Sequence, residues 1–467
     1  MDKSLLAKSI IKSWSIVDNG LHQVSDLLKW ILDLNNNTCI NVAEAKIQDE
    51  PFWFYDEEAG CIKNKNNSFF EIVGLQYFLD NNLLCQQPII KQDEIGYLGI
   101  IAKEINGVLH FLMQAKVEPG NLNGIQISPT IQATKSNFTC SHGGKTPLYL
   151  DYFKNLYSDT EVIYDQIQSE QGTRFIGKRN RNIIILVKND IEIYPNFRWM
   201  TLGQIKEFLK EDNLVNMDTR TVLSGLLTVF NNVDKCEFKE LFVDKTFYNS
   251  IFAQDSYYEA ISKLNDYKMY HDVEKKIVPL HELSNWTLDN QGVFCKDKAD
   301  FEVRYYDIEI EGREVKKWQQ PLFKAKSQAL FVLFTRLNHN IREFLISLRP
   351  EIGCFDNVEF GPSLQIANYK EYCNKQDVMY SLFNEYLADK KGIISDVMLS
   401  EEGGRFYREE NRNLIVELDF NDSQNFGDDY LWVTYSTLNK LIESNNVLNI
   451  QLRNLMSLLP LEVKTLW

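Results

Sequence analysis

The chain switches between two hydrophobic periods. In VLHFLMQAKVE, Phe111, Met113, Ala115 and Val117 fall on one side, and Leu112, Gln114, Lys116 and Glu118 on the other. GIQISPTIQAT repeats the pattern, with Ile127, Pro129, Ile131 and Ala133 opposite Gln126, Ser128, Thr130, Gln132 and Thr134. Alternation with a period of two marks half-buried strands, and the NLNG between the segments is a turn signal. NRNIIILVKND predicts a further strand. TLGQIKEFLKED has helical spacing instead, with Thr201 placed as the N-cap. The mixture predicts an α+β fold built on an antiparallel sheet with helices against one side.

The same pattern returns at an offset of 233 residues. From Gln86-Gln87-Pro88 and Gln319-Gln320-Pro321 onward, Lys91 meets Lys324, Phe111-Leu112 meets Phe344-Leu345, and Glu118 meets Glu351. Gly120 meets Gly353, Pro129 meets Pro362, and Gln132 meets Gln365. Trp53 falls on Trp286 upstream; Trp199, Thr201, Asn216 and Arg220 fall on Trp432, Thr434, Asn449 and Arg453 downstream. After a two-residue slip, Ser169-Glu170 aligns with Ser400-Glu401, Arg174-Phe175 with Arg405-Phe406, and Asn180-Arg181-Asn182 with Asn411-Arg412-Asn413. Coincidence does not hold one register over most of each half, so two tandem copies of one domain are expected, at residues 1–235 and 236–467. The junction falls within 231–275, where DSYYEAISKLNDYKMY reads as a helix; a comparable stretch over 8–34 opens the first copy.

Composition narrows the function classes. The 467 residues exceed one compact core, and 44% apolar with 12% aromatic residues can fill several. A net charge of −15 excludes a general nucleic-acid binder, and any anionic ligand must be held by local positive charge. Eight scattered cysteines without a CxxC pair, and no apolar run long enough for secretion or a membrane span, predict a cytoplasmic protein with reduced thiols. The six histidines show no zinc-type spacing.

Against that background, four segments carry candidate chemistry. Gln114, Lys116, Glu118, Gln126, Ser128, Thr130 and Gln132 put hydrogen-bonding groups where a solvated sheet face usually carries charges and threonine, which suits a pocket floor. His142 precedes Gly143-Gly144, setting an imidazole beside backbone that can approach a ligand closely. Arg174, Lys178, Arg179 and Arg181 place four cations within eight residues of an acidic chain, a seat for a pyrophosphate. Gln168, Ser169, Glu170 and Gln171 stand at its edge. The Asn216–Arg220 cluster adds polar groups, but Asn216 and Arg220 persist in the second copy, which favours a structural role.

The ordered motifs QQP (86–88), QAKVEPGN (114–121), QISPTIQAT (126–134), HGG (142–144), QSEQG (168–172), KRNRN (178–182), WMTLGQI (199–205) and NMDTR (216–220) resemble the NDP-hexose 2,3-dehydratases. The resemblance covers essentially the whole chain. It implies two tandem Nudix-like domains and a homodimer, with no metal and no other cofactor. The substrate it implies is a nucleotide-linked 4-keto-6-deoxyhexose, commonly dTDP-linked, whose product passes to an NADPH-dependent 3-ketoreductase of deoxysugar biosynthesis. The acidic helix of a metal-dependent Nudix hydrolase is missing; the nearest string, SEEGGRFYREEN, has the wrong spacing.

The implied reaction needs a base for the C3 hydrogen, a donor to the developing C4 oxyanion and an acid for the departing C2 hydroxyl. His142, Glu118 and Glu170 are the candidate bases, Lys116 the oxyanion donor and Tyr149 the acid. The first copy is the expected seat of catalysis. In the second, Lys116, Gln114, Ser128 and Lys178 are replaced by Arg349, Ser347, Gly361 and Glu409, and HGG has no counterpart. A nucleotide-sugar hydrolase and a non-catalytic nucleotide-sugar binding protein are the alternative functions.

Overall fold

Each copy opens with helices and then builds two sheets. The computed structural model describes residues 2–18, 21–47, 52–138, 146–155, 160–296, 299–311, 315–374, 376–419 and 425–464. In the first copy, helices Lys3–Ser15 and Val24–Asn37 precede a small sheet containing Trp53–Asp56, Cys61–Asn64, Glu71–Leu79 and Asn82–Lys91. A larger sheet follows, ordered Thr160–Ser169, Arg179–Val187, Gly96–Ile105, Val108–Val117 and Phe197–Met200. The second copy repeats the large sheet with Ile393–Ser400, Glu410–Glu417, Leu330–Asn338, Ile341–Arg349 and Tyr430–Thr434. The protein is therefore mixed α+β with duplicated architecture. Each large sheet is mixed rather than wholly antiparallel, because Arg179–Val187 lies parallel to Gly96–Ile105, and Glu410–Glu417 parallel to Leu330–Asn338.

Local chemistry explains most of the boundaries. Thr201 caps helix Leu202–Phe208, accepting from Gln204 N–H at 3.1 Å, while Gln204 returns the bond to Thr201 N–H at 3.0 Å. Thr434 caps the equivalent helix Tyr435–Ile442. GIQISPTIQAT departs from the continuous strand its alternation predicts. Ile125–Ser128 pairs with Val108–Val117, whereas Ile131–Ala133 pairs with Gly96–Ile105. Pro129, which lacks an N–H, stands where the chain changes partners. Ile127 consequently enters the core of Phe111 and Met113, and Ile131 and Ala133 enter the core of Leu112 and Trp199 across the sheet.

The two copies exchange their first strands. Ile40–Ala45 pairs antiparallel with Phe301–Ile310 of the second copy, and its counterpart Val273–Val278 pairs with Glu71–Leu79 of the first. One core joins Trp53, Ile72, Ile90 and Phe175 to Val293, Phe301, Phe323 and Phe406. Buried arginines complete the exchange. Arg220 donates to Ser400 O at 2.7 Å, and Arg453 donates to Ser169 O, its exact counterpart. Arg220 and Arg453 thus hold the copies together, as their persistence in both suggests. No helix among the described residues is long and apolar enough to cross a membrane.

Candidate active site

The first-copy candidates gather where two strand ends meet one helix start. Glu118 follows strand Val108–Val117 and begins the tight EPGN turn, closed by Asn121 N–H to Glu118 O at 3.1 Å. Its carboxylate receives Lys116 Nζ and Gln132 Nε2, both at 3.1 Å to Oε1. Asn216 Nδ2 reaches Gln132 Oε1 at 3.3 Å, while Asn216 Oδ1 caps helix Met217–Leu223. That helix carries Asp218, which is 2% exposed.

Glu170 arrives from the neighbouring hairpin. Its N–H bonds Lys178 O at 3.0 Å, closing the loop that contains Gln171 to Gly177. Asn180 Nδ2 donates to Glu170 Oε1 at 2.6 Å and is itself fixed by Gly96 N–H at 3.1 Å. Lys178 is buried, with Nζ donating to Glu94 O at 2.5 Å. Glu170 Oε2 and Asp218 Oδ2 are buried without a hydrogen-bond partner among the described residues. Buried polar atoms are nearly always satisfied, so these two oxygens have bonding capacity that a ligand could use.

Burial sets the protonation of this cluster. Burial, then the charge of Glu402, pushes Glu170 up to about 7, against the pull of Arg453 and Lys178. Asp218 is driven well above the usual carboxylate range by burial and by Glu402, Glu170 and Glu118. Burial lowers Lys178, while Glu170 and Glu94 raise it. A carboxyl titrating near neutrality beside one whose protonated form burial favours can serve as an acid–base pair.

The remaining candidates lie elsewhere. His142, Gly143 and Gly144 fall outside the described residues. Tyr149 packs on Phe197 at 4.9 Å between ring centroids and donates to Glu192 O at 2.8 Å, and burial pushes it up to about 12. The four cations do not converge. Arg174 stacks on Phe301 at 4.0 Å, Arg179 on Phe355 at 3.7 Å, and Arg181 makes a two-pronged pair with Asp165 at 2.7 and 2.5 Å. Only Lys178 turns into the cluster. Thr130 stitches Leu112 O to Ile101 N–H, and Gln168 binds Ile442 O at 2.8 Å. Gln126 reaches Ser400 Oγ at 2.8 Å, Ser169 reaches Glu359 Oε2 at 2.7 Å, and Gln114 pairs with Ser128 in the sheet.

Motif reading missed the second-copy contributors Glu402 and Arg405. The signal was present: SEEGG aligns with SEQG, and the duplication implies that whatever one loop does for its neighbour, the other does in return. Arg405 stacks over Phe70 at 4.3 Å and reaches Gln92 Oε1 at 3.3 Å. Among the described residues, no group of three His, Cys, Asp or Glu is arranged to hold a metal ion.

Comparison with known proteins matches the chain to one family. A family model described as NDP-hexose 2,3-dehydratase matches residues 24–226 and again 258–459. A dTDP-4-dehydro-6-deoxy-alpha-D-glucopyranose 2,3-dehydratase of Saccharopolyspora spinosa is 34% identical over 451 residues, covering 94% of this chain and 92% of its own. Proteins of the same description from Streptomyces violaceoruber and Amycolatopsis orientalis are 33% and 31% identical, over 89% and 97% of this chain and 92% and 93% of theirs.

Proposed function

Because the chain belongs to the NDP-hexose 2,3-dehydratase family, we propose that it removes water across C2 and C3 of a nucleoside-diphosphate-linked 4-keto-6-deoxyhexose. The dTDP-linked sugar is the expected substrate, in keeping with the relatives' descriptions. The observation that carries the placement is the buried first-copy cluster, in which Glu170 Oε2 and Asp218 Oδ2 lack partners among the described residues.

The C4 ketone acidifies the C3 hydrogen, since the carbanion it leaves is an enolate. Glu170, poised to ionise near pH 7, takes that proton; among the three candidate bases it best matches the task. Lys116, held at Glu118, offers its ammonium to the C4 oxyanion. Asp218, whose carboxyl burial and neighbouring carboxylates drive well above the usual range, gives a proton to the departing C2 hydroxyl, which leaves as water. The resulting enol tautomerises to a 3,4-diketo-2,6-dideoxy sugar, and proton exchange with solvent restores Glu170 and Asp218. In this scheme Tyr149 is not the acid, because its hydroxyl is committed to Glu192 O.

We read each copy as a Nudix-like mixed sheet without the cation-binding helix, with turnover confined to the first copy. The loss of one cation and one carboxyl at matching positions supports that division, since Lys178 and Asp218 are matched by Glu409 and Gln451. A cytoplasmic homodimer delivering its product to an NADPH-dependent 3-ketoreductase completes the reading. The test mixes protein, dTDP-4-keto-6-deoxyglucose and such a reductase and follows NADPH at 340 nm. Oxidation that depends on both proteins supports the assignment; release of a sugar phosphate, or tight binding without turnover, sinks it.

A further inference from the structure

One wall of the first-copy cluster belongs to the second copy. Gly120 N–H donates to Gly403 O at 2.7 Å, and Arg408 N–H donates to Gly120 O at 2.8 Å. The fit is tight: a Cβ on Gly403 would lie 2.2 Å from Asn121 Oδ1 and 3.0 Å from Glu118 Cβ. At the next position, a Cβ on Gly404 would sit 3.0 Å from Glu402 Oε1 and 3.5 Å from Glu118 Oε1. The missing side chain of Gly404 therefore leaves clear space between carboxylates of two different copies. Two such groups resist ionising together. Lys116, Lys178 and Arg405 supply the countercharge that keeps them there.

The duplication provides an internal control. Gln171 stands at the position of Glu402 in the mirror-image cluster, and its amide donates to Glu401, the counterpart of Glu170. An amide there quiets the neighbouring carboxylate with a hydrogen bond. A carboxylate repels it. The charged form occurs beside the copy that retains Lys178 and Asp218.

We propose that Glu402 is a positioning residue for the first-copy reaction, delivered by the second copy, and that its charge governs when Glu170 takes and holds the C3 proton. The second copy is then a working part of the site and more than scaffold. The proposal rests on Glu170 as the base. Burial and Glu402 raise Glu170, with Arg453 and Lys178 opposing; Glu402 is itself raised by burial and Glu118, against Arg405. Asp218 feels the same three carboxylates.

The test uses the full chain and the reductase-coupled assay, recording kcat/KM from pH 5 to 9 for wild type, Glu402→Gln and Glu402→Asp. The base works deprotonated, so removing a neighbouring negative charge lets it ionise earlier. The acidic limb of the Glu402→Gln profile should move down by about one pH unit. Its plateau should fall roughly tenfold because the base is weaker, and Glu402→Asp should recover most of both. A Glu402→Gln profile that overlays wild type overturns the proposal. So does a fall equal at every pH with the limb unmoved, the result expected of a loosened loop. Full activity in Glu170→Gln overturns the base assignment beneath it, by a distinct signature.

Discussion

Glu170 answers two opposed demands, because a carboxylate must be buried to become basic and must be bonded to stay ordered. Asn180 satisfies one oxygen at 2.6 Å and leaves the other without a partner among the described residues. Glu170→Gln keeps the shape and deletes the proton acceptor. It should lower kcat by about 10²–10⁴ with KM changed only a few-fold; a kcat within tenfold of wild type would move the base to Glu118 or His142. Arg220 poses the contrasting case. Its guanidinium binds Val215 O at 2.6 Å and Ser400 O at 2.7 Å in full burial. Arg220→Ala leaves those carbonyls unpaired and should cost about 3–5 kcal/mol, read as a lowered denaturant midpoint. Retained stability would show that water replaces the guanidinium.

At the scale of elements, the EPG and EIG turns act as mutual latches between the copies. A Cβ on Gly120 would meet Phe406 O at 1.6 Å, and one on Gly353 would meet Phe175 O at 1.9 Å. Backbone cannot yield that much without the loop moving. Gly120→Ala and Gly353→Ala should each destabilise by roughly 1–3 kcal/mol or more. Both should lower kcat in the protein that remains folded, because Gly120→Ala displaces the loop holding Glu402 and Gly353→Ala presses on the loop that Glu170 and Lys178 close. An unchanged kcat in either variant would show that its loop yields without moving the site.

At the scale of the molecule, buried ionisable groups dominate the response to pH. Glu170 and Glu359 rise to about 7, mainly by burial, and so bind more protons folded than unfolded between about pH 4.5 and 7. Raising the pH through that window therefore removes stability. Lys206 is lowered to about 7 by burial, so it binds fewer protons folded than unfolded above pH 7, and its share of stability returns as pH rises toward 10.5. The melting temperature should pass through a shallow minimum near neutrality in thermal scans from pH 5.5 to 9. A monotonic rise would show that these groups are hydrated in solution. The strand exchange makes a separate demand. Residues 1–235 alone lack the partner for Ile40–Ala45 and expose half of a shared core. That fragment should aggregate when expressed alone and regain solubility with its complement.

The duplication, the strand and helix types, the Thr201 cap and the structural weight of Arg220 were all legible from residue order, because they depend on local periodicity and on identities that recur. The candidate site was legible only in part. Lys116, Glu118, Gln132, Glu170 and Lys178 stood out by composition; the first three hydrogen-bond together, and the last two close the neighbouring loop. The run Arg174 to Arg181 looked like one cation seat because its members are adjacent in sequence, but a hairpin turns them toward different neighbours. Spacing along the chain determines which face of an element a residue takes. Which second element faces it is set by packing, and here the packing crosses from one copy to the other. Residue order therefore placed carboxylates and cations correctly on strands and turns, whereas only the exchanged fold could put Glu402 beside Glu118, since no local pattern encodes a contact between segments so far apart.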